Sequence, residues 1–187
     1  MTELRLRNRI VIIAVTLGVF VLDRWTKLLV ESRLALGESF EVLGKTLQFT
    51  HITNSNGVMG ISFGPFSRYL MLPLSLLAIT AIVYFYLRSQ SRSLLAALAT
   101  GSILGGAAGN MLDRFRTGAV TDFIDCDIPD IIIPPFQAGI LKFSGFYLDR
   151  WYIFNIADSA VMVGVALMIF ITFKEEYRAG AGPAAEK

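Results

Sequence analysis

Four stretches of this chain are too long and too apolar to form the surface of a protein dissolved in water. A bilayer core about 30 Å thick is crossed by roughly 20 mostly apolar residues in a helix. Residues 10–29, 69–87, 94–112 and 151–173 meet that length. Composition agrees: of 187 residues, 54% are hydrophobic and only 17% charged, and the mean hydropathy is +0.58, which is high for a soluble domain. The sequence therefore predicts an integral membrane protein, mainly α, with a four-transmembrane-helix bundle as its single domain. Pro73, near the start of the second stretch, does little harm there, since a missing backbone donor is best tolerated in a first turn.

Arg5, Arg7 and Arg9 ahead of the first apolar run also suit a cleavable secretory leader. The run continues through Asp23-Arg24-Trp25-Thr26-Lys27 into Leu28 and Leu29 without a small-residue cleavage site, so an uncleaved span is expected. Four spans put both ends of the chain on one side. The arginines at the N-terminus, together with Arg88 and Arg92 in the shortest connection, favour a cytoplasmic location for that side.

The connections on the opposite side are longer and carry more chemistry. Residues 31–67 alternate short apolar runs with Gly37, Gly44, Gly57 and Gly64, and 40–43, 47–50 and 58–63 read as strands of a small extracytoplasmic β element. Residues 117–150 read as a second extracytoplasmic loop, with Asp125, Asp127 and Asp130 as solvated charges. The Ala- and Gly-rich tail 179–187 reads as disordered.

Polar side chains inside spans are costly and usually face a bundle interior or a wet cavity. Asp23 and Lys27, four residues apart, share a helix face and can pair. The third span ends in Gly105-Gly106-Ala-Ala-Gly109-Asn110-Met-Leu-Asp113-Arg114. Its small residues suit close helix packing, and it lacks the preceding strand and the Lys-Ser/Thr pair of a phosphate-binding loop. Asn155 and Asp158 open the fourth span. All these groups are expected at the outer end of the bundle, within reach of Asp122.

Residue inventory narrows the chemistry. His51 and Cys126 are the only histidine and cysteine, too few for a His/Cys metal site or an intrachain disulfide. No serine stands in a nucleophile elbow. A net charge of +2 without a basic stripe sets nucleic acid aside as a partner. Carboxylates remain. Two of them about 3 Å apart share one proton, so that one serves as base while the other donates. Asp158 is one natural member; spacing alone leaves Asp113 and Asp122 as candidates for the other.

The ordered motifs Asp23-Arg-Trp-Thr-Lys27, Gly105-Gly-Ala-Ala-Gly-Asn110-Met-Leu-Asp113-Arg114, Val120-Thr-Asp122-Phe123 and Phe154-Asn155-Ile-Ala-Asp158 together resemble the bacterial lipoprotein signal peptidases, signal peptidase II. The resemblance runs from about residue 22 to 159. It implies an aspartic endopeptidase of the inner membrane, with cytoplasmic termini and its site near the periplasmic face. Such an enzyme removes the signal peptide of prolipoproteins by cutting before a diacylglyceryl-modified cysteine. It implies Asp122 and Asp158 as the catalytic pair, with Asp23, Lys27, Asn54, Gly106, Asn110, Asp113, Arg114 and Asn155 in support, Asp113 pairing with Arg114. Metal and cofactor are not required, the partners are the diacylated substrate and membrane lipid, and a monomer is expected.

One motif departs from the family pattern. Where an Asn-x-Gly is usual, this chain reads Asn54-Ser-Asn56-Gly57, so the family asparagine is Asn54 with one residue inserted, or Asn56; Asn54 is preferred. The segment 125–150 is longer than the family's usual connection. The alternative from the residues themselves is a proton- or ion-coupled transporter using the same acids, though the chain lacks the internal repeat that many transporters show. A non-catalytic membrane scaffold is a third reading.

Overall fold

The computed structural model describes residues 2–55, 67–88, 93–139 and 141–180. Four helices are found among them: α1 (Thr2–Arg33), α2 (Ser67–Arg88), α3 (Leu94–Thr117) and α4 (Ile156–Gly180). Seven strands lie between them. β1 (Ser39–Leu43) and β2 (Leu47–Asn54) separate α1 from α2, and β3 (Val120–Cys126), β4 (Ile131–Ile133), β5 (Phe136–Ala138), β6 (Leu141–Phe143) and β7 (Phe146–Leu148) separate α3 from α4.

Helix α3 is the centre of the bundle and packs on α1, α2 and α4. Ser93 caps its start, with Oγ accepting from Ala96 N at 3.1 Å. Gly118, at φ 80°, closes its end by donating to the Arg114 carbonyl; that left-handed turn is open to glycine at little cost. Helices α3 and α4 are long and apolar enough to cross a membrane.

Small residues let the helices meet almost backbone to backbone. A Cβ built on Gly105 would lie 2.7 Å from the Thr16 carbonyl and the Val19 side chain of α1. One on Gly106 would collide with the Ala157 carbonyl of α4. The glycine cluster is thus a two-sided packing face, α1 on one flank and α4 on the other.

The β region differs from the two separate extracytoplasmic segments that the sequence suggests. β1 and β2 form where expected, and the predicted strand 58–63 lies outside the described residues, as do 89–92 and 181–187 of the predicted short connection and tail. Residues 120–126, however, are no loop. They form β3, which pairs antiparallel with β2 to complete a sheet of order β1-β2-β3. Val120 to Phe123 are all buried, and this β-branched and aromatic run favours a strand buried on both faces. Asn54 and Asp122 come from this sheet, where Ile52 pairs with Asp122 and Asn54 with Val120.

Two helix boundaries also move. Residues 31–33, expected in the β element, are the last turn of α1. α4 starts at Ile156 rather than 151, because Phe154 is occupied with β3: its N–H donates to the Ile124 carbonyl at 3.1 Å, and its own carbonyl accepts from Phe123 N and Ile124 N at 3.0 and 2.7 Å.

Candidate active site

That short bridge between Phe154 and Ile124 decides where the acids go. It fastens the strand carrying Asp122 to the residue next to Asn155, the first side chain of the α4 cap. Four orphan N–H groups open any helix and need acceptors. Here Asp158 N donates to Asn155 Oδ1 at 2.9 Å, and Asn155 N donates back to Asp158 Oδ2 at 3.2 Å. This reciprocal exchange is the logic of a capping box, worth about 1 kcal/mol for a good N-cap. Ala157 N donates to Asp23 Oδ1 of α1 at 2.9 Å. The polar FNIADS start of α4 is therefore both cap and site.

Asn155 spends its side-chain amide on the neighbouring elements. Its Nδ2 lies 2.6 Å from Asp122 Oδ1, 3.1 Å from Asn110 Oδ1 and 3.3 Å from the Thr121 carbonyl. Asn110 Nδ2 donates to Asp158 Oδ1 at 2.8 Å. Asn54 Nδ2 donates to Asp122 Oδ2 at 3.1 Å. Each oxygen of both carboxylates thus has a donor, and the two acids are joined through Asn155 and Asn110. Asn56 lies outside the described residues.

Beneath this network lies a buried charge cluster. Lys27 Nζ is 2.9 Å from Asp23 Oδ2, 2.7 Å from Asp113 Oδ2 and 2.9 Å from Asn110 Oδ1. Asp23 and Lys27 are both 0% exposed, so their pair is a core element rather than one that snorkels to the interface. Asp113 does not take Arg114, its neighbour in sequence; its ion pairs run to Lys27 and to Arg24 Nη1 at 2.5 Å. Arg114 stands half-buried in the last turn of α3, an electrostatic neighbour of Asp158, Asp122 and Asp113. Gly106 contributes space: its missing Cβ admits Ala157 and so the first turn of α4.

Three participants escaped the sequence reading. Arg24 bridges Asp113 and Glu31, the latter at 3.6 Å, and Glu31 Oε1 accepts from Thr121 Oγ1 at 2.8 Å, next to Asp122. The spacing of Arg24, Lys27 and Glu31, at i, i+3 and i+7, puts them on one helix face and was the available signal. Asp125 is the third. Rather than a solvated loop charge it is buried, accepting from Thr50 Oγ1 at 2.8 Å and paired with Arg150 Nε at 2.9 Å. Asp127 and Asp130 are exposed, as expected.

Asp122 is only 2% exposed. Burial, reinforced by the charge of Asp158, raises its carboxyl from 3.8 to about 7, against the opposing pull of Asn54, Asn155 and Lys27. Between those two values the folded protein holds a proton that the unfolded chain has released, so stability falls as pH rises across that window, by about 1.4 kcal/mol per unit for this one group. Thermal unfolding of the protein in detergent from pH 5 to pH 8 should therefore show a decline in midpoint that Asp122→Asn reduces. Equal pH slopes for the two proteins would place the proton elsewhere.

These acids are set against two helices long and apolar enough to cross a membrane. The chain belongs to the signal peptidase II family: residues 15–174 match the family described as signal peptidase (SPase) II. Its relatives include the lipoprotein signal peptidase of Halothermothrix orenii, 31% identical over 162 residues that cover 87% of this chain and 94% of that one. The lipoprotein signal peptidase of Staphylococcus aureus is 30% identical over 163 residues, 87% of this chain and 88% of that one. Two solved bacterial membrane enzyme structures, obtained by the in meso method, superpose with TM-scores of 0.71 and 0.68. They are 29% and 30% identical and cover 94% and 87% of this chain and 92% of each of theirs. None of these relatives favours a transporter.

Proposed function

We propose that this protein is an aspartic endopeptidase of the bacterial inner membrane that removes the signal peptide from diacylglyceryl-modified prolipoproteins, cutting before the lipidated cysteine. The observation that carries the reading is the pair Asp122 and Asp158, held by the strand β3 and the first turn of α4 and linked through Asn155 and Asn110. Support for the substrate comes from the relatives, which are lipoprotein signal peptidases.

In the proposed reaction Asp158 takes a proton from water as the water oxygen attacks the scissile carbonyl carbon. Asp122, whose carboxyl is pushed up to about 7, keeps a proton near neutral pH and delivers it to the carbonyl oxygen. Collapse of the resulting diol breaks the C–N bond as the proton held by Asp158 passes to the leaving amine and one diol hydroxyl returns its proton to Asp122, leaving a carboxylic acid and restoring both side chains. Asn54, Asn110 and Asn155 fix the carboxyl planes. Lys27, Asp23, Asp113, Arg24 and Arg114 set the surrounding charge.

Four spans with both termini in the cytoplasm fit this chemistry. The charges of α1 that would be costly in lipid, Asp23 and Lys27, turn inward to α3 and α4. Catalysis then falls at the outer end of the bundle, at the depth where a cysteine bearing two acyl chains arrives sideways from the bilayer.

The test is cleavage of a diacylated prolipoprotein peptide by the purified protein, beside the same peptide without lipid and with a metal chelator added. Cleavage should occur on the N-terminal side of the lipidated cysteine and be unaffected by chelator. The unlipidated peptide should react at least about tenfold more slowly, since binding energy from remote groups is spent at the reacting centre. An intact lipidated peptide, or loss of cleavage with chelator, would rule the reading out.

A further inference from the structure

Between Cys126 and Trp151 the chain makes an excursion that leaves and returns at one point. Trp151 N donates to the Cys126 carbonyl at 3.1 Å. The root is tied to the main sheet: Arg150 reaches Asp125 Oδ1 at 2.9 Å and the Lys45 carbonyl at 3.1 Å, while Asp127 N donates to the Thr46 carbonyl at 2.9 Å. Beyond it, β4 pairs with β7 and β5 with β6, so the excursion is a two-stranded ribbon with no second layer among the described residues.

The half of the ribbon nearest the root, β4 with β7, pairs apolar residues on both faces, while β5 with β6 sets Phe136 opposite Phe143 on one face and Gln137 opposite Lys142 on the other. Ile131, Ile132, Ile133, Phe136, Phe143 and Tyr147 are 37–65% exposed, and successive residues of a strand face opposite ways. Such a ribbon is marginal in water on its own. Charge stops where the ribbon starts: Asp127, Asp130, Asp149 and Arg150 flank it, and residues 131–148 carry only Lys142. A protein-docking patch would show a polar rim around one apolar face. Here β4 and β7 are apolar on both faces, and Lys142 is the one charged residue between the flanking charges of the root. The root also sits at a recognisable depth, since Trp151 and Tyr152, whose rings meet edge to face at 6.4 Å, stand just ahead of α4; such pairs mark the headgroup level of a bilayer.

We infer that the ribbon formed by β4 to β7 is a membrane-seated arm, its apolar faces in the lipid of the outer leaflet beside the outer end of the bundle. The inference rests on the membrane placement proposed above. Lipid covers what no protein layer covers, and the acids at the root remain in the headgroup region.

The experiment uses the full chain with Cys126→Ser and single cysteines at Ile132, Phe136, Val163 or Asp149, each labelled with an environment-sensitive fluorophore in phosphatidylcholine vesicles containing doxyl-labelled lipid. Val163, exposed midway along α4, is the lipid reference and Asp149 the aqueous one. Labels at Ile132 and Phe136 should be blue-shifted and quenched towards the level of the Val163 label, without substrate. Quenching no greater than at Asp149, or quenching that appears only after a lipidated peptide is added, overturns the inference. The reading needs no turnover, so vesicles that quench but never cleave would count against the proposed activity and leave the arm standing.

Discussion

Changing Asp122 or Asp158 to asparagine should slow cleavage of the diacylated peptide by about 10²- to 10⁴-fold, the usual contribution of a positioned acid or base. The two variants are close in shape to the native residues, so the loss is chemical. Asn at position 122 still accepts from Asn155 or Asn54 through its oxygen, and at pH 8 it removes a buried carboxylate, so thermal stability there should hold or rise. Each variant should also bind a lipidated, non-cleavable peptide as tightly as the parent. The measurement is single-turnover cleavage beside a thermal melt; a near-native rate in either folded variant removes that residue from the proposed dyad. The double variant should lose no more than the worse single one, because two groups acting in one step are not additive.

Lys27→Met should be the most destabilising substitution in the polar core. It keeps the length and packing of the stem but removes the one ammonium shared by Asp23, Asp113 and Asn110. Among the described residues Asp23 then loses its ion pair and Asp113 keeps the one to Arg24. Breaking a buried ion pair by deleting one partner costs roughly 3–5 kcal/mol. A thermal melt in detergent should register that as a large drop in midpoint, and adding Asp23→Asn should recover part of it, since the coupling between contacting residues makes their effects non-additive. A midpoint within a degree or two of the parent would mean that the cluster is solvated.

What the sequence made legible was local. Asn155 and Asp158 at i and i+3, Asp23 and Lys27 at i and i+4, and the small residues of the third helix all declare their geometry within one or two turns. Pairings that close over long stretches of chain left no trace. Asp125 looks like one of several loop acids until β3 is laid against β2, which brings Thr50 to it from 75 residues away. Asp113 and Arg114 look like partners because they are adjacent, yet consecutive helical residues diverge around the axis and cannot face one another; a cation from α1 fills the place instead. The start of α4 was misjudged for a similar reason. Trp151 to Phe154 are all apolar or aromatic and read as part of the span, yet the backbone bonds of Phe154 to β3 hold that segment out of the helix.

The bond from Ala157 N to Asp23 Oδ1 spans 134 residues, and it has a meaning for how the molecule comes into being. A chain emerging from the ribosome presents α1 first and α4 last. Until α4 arrives, Asp158 is absent, Asp122 lacks the amide of Asn155, and the carboxylate of Asp23 has no helix start to receive. No nascent fragment that lacks α4 holds Asp122 and Asp158 in their linked arrangement. On the activity proposed above, the enzyme would stay inert throughout its own synthesis and be armed by its last helix.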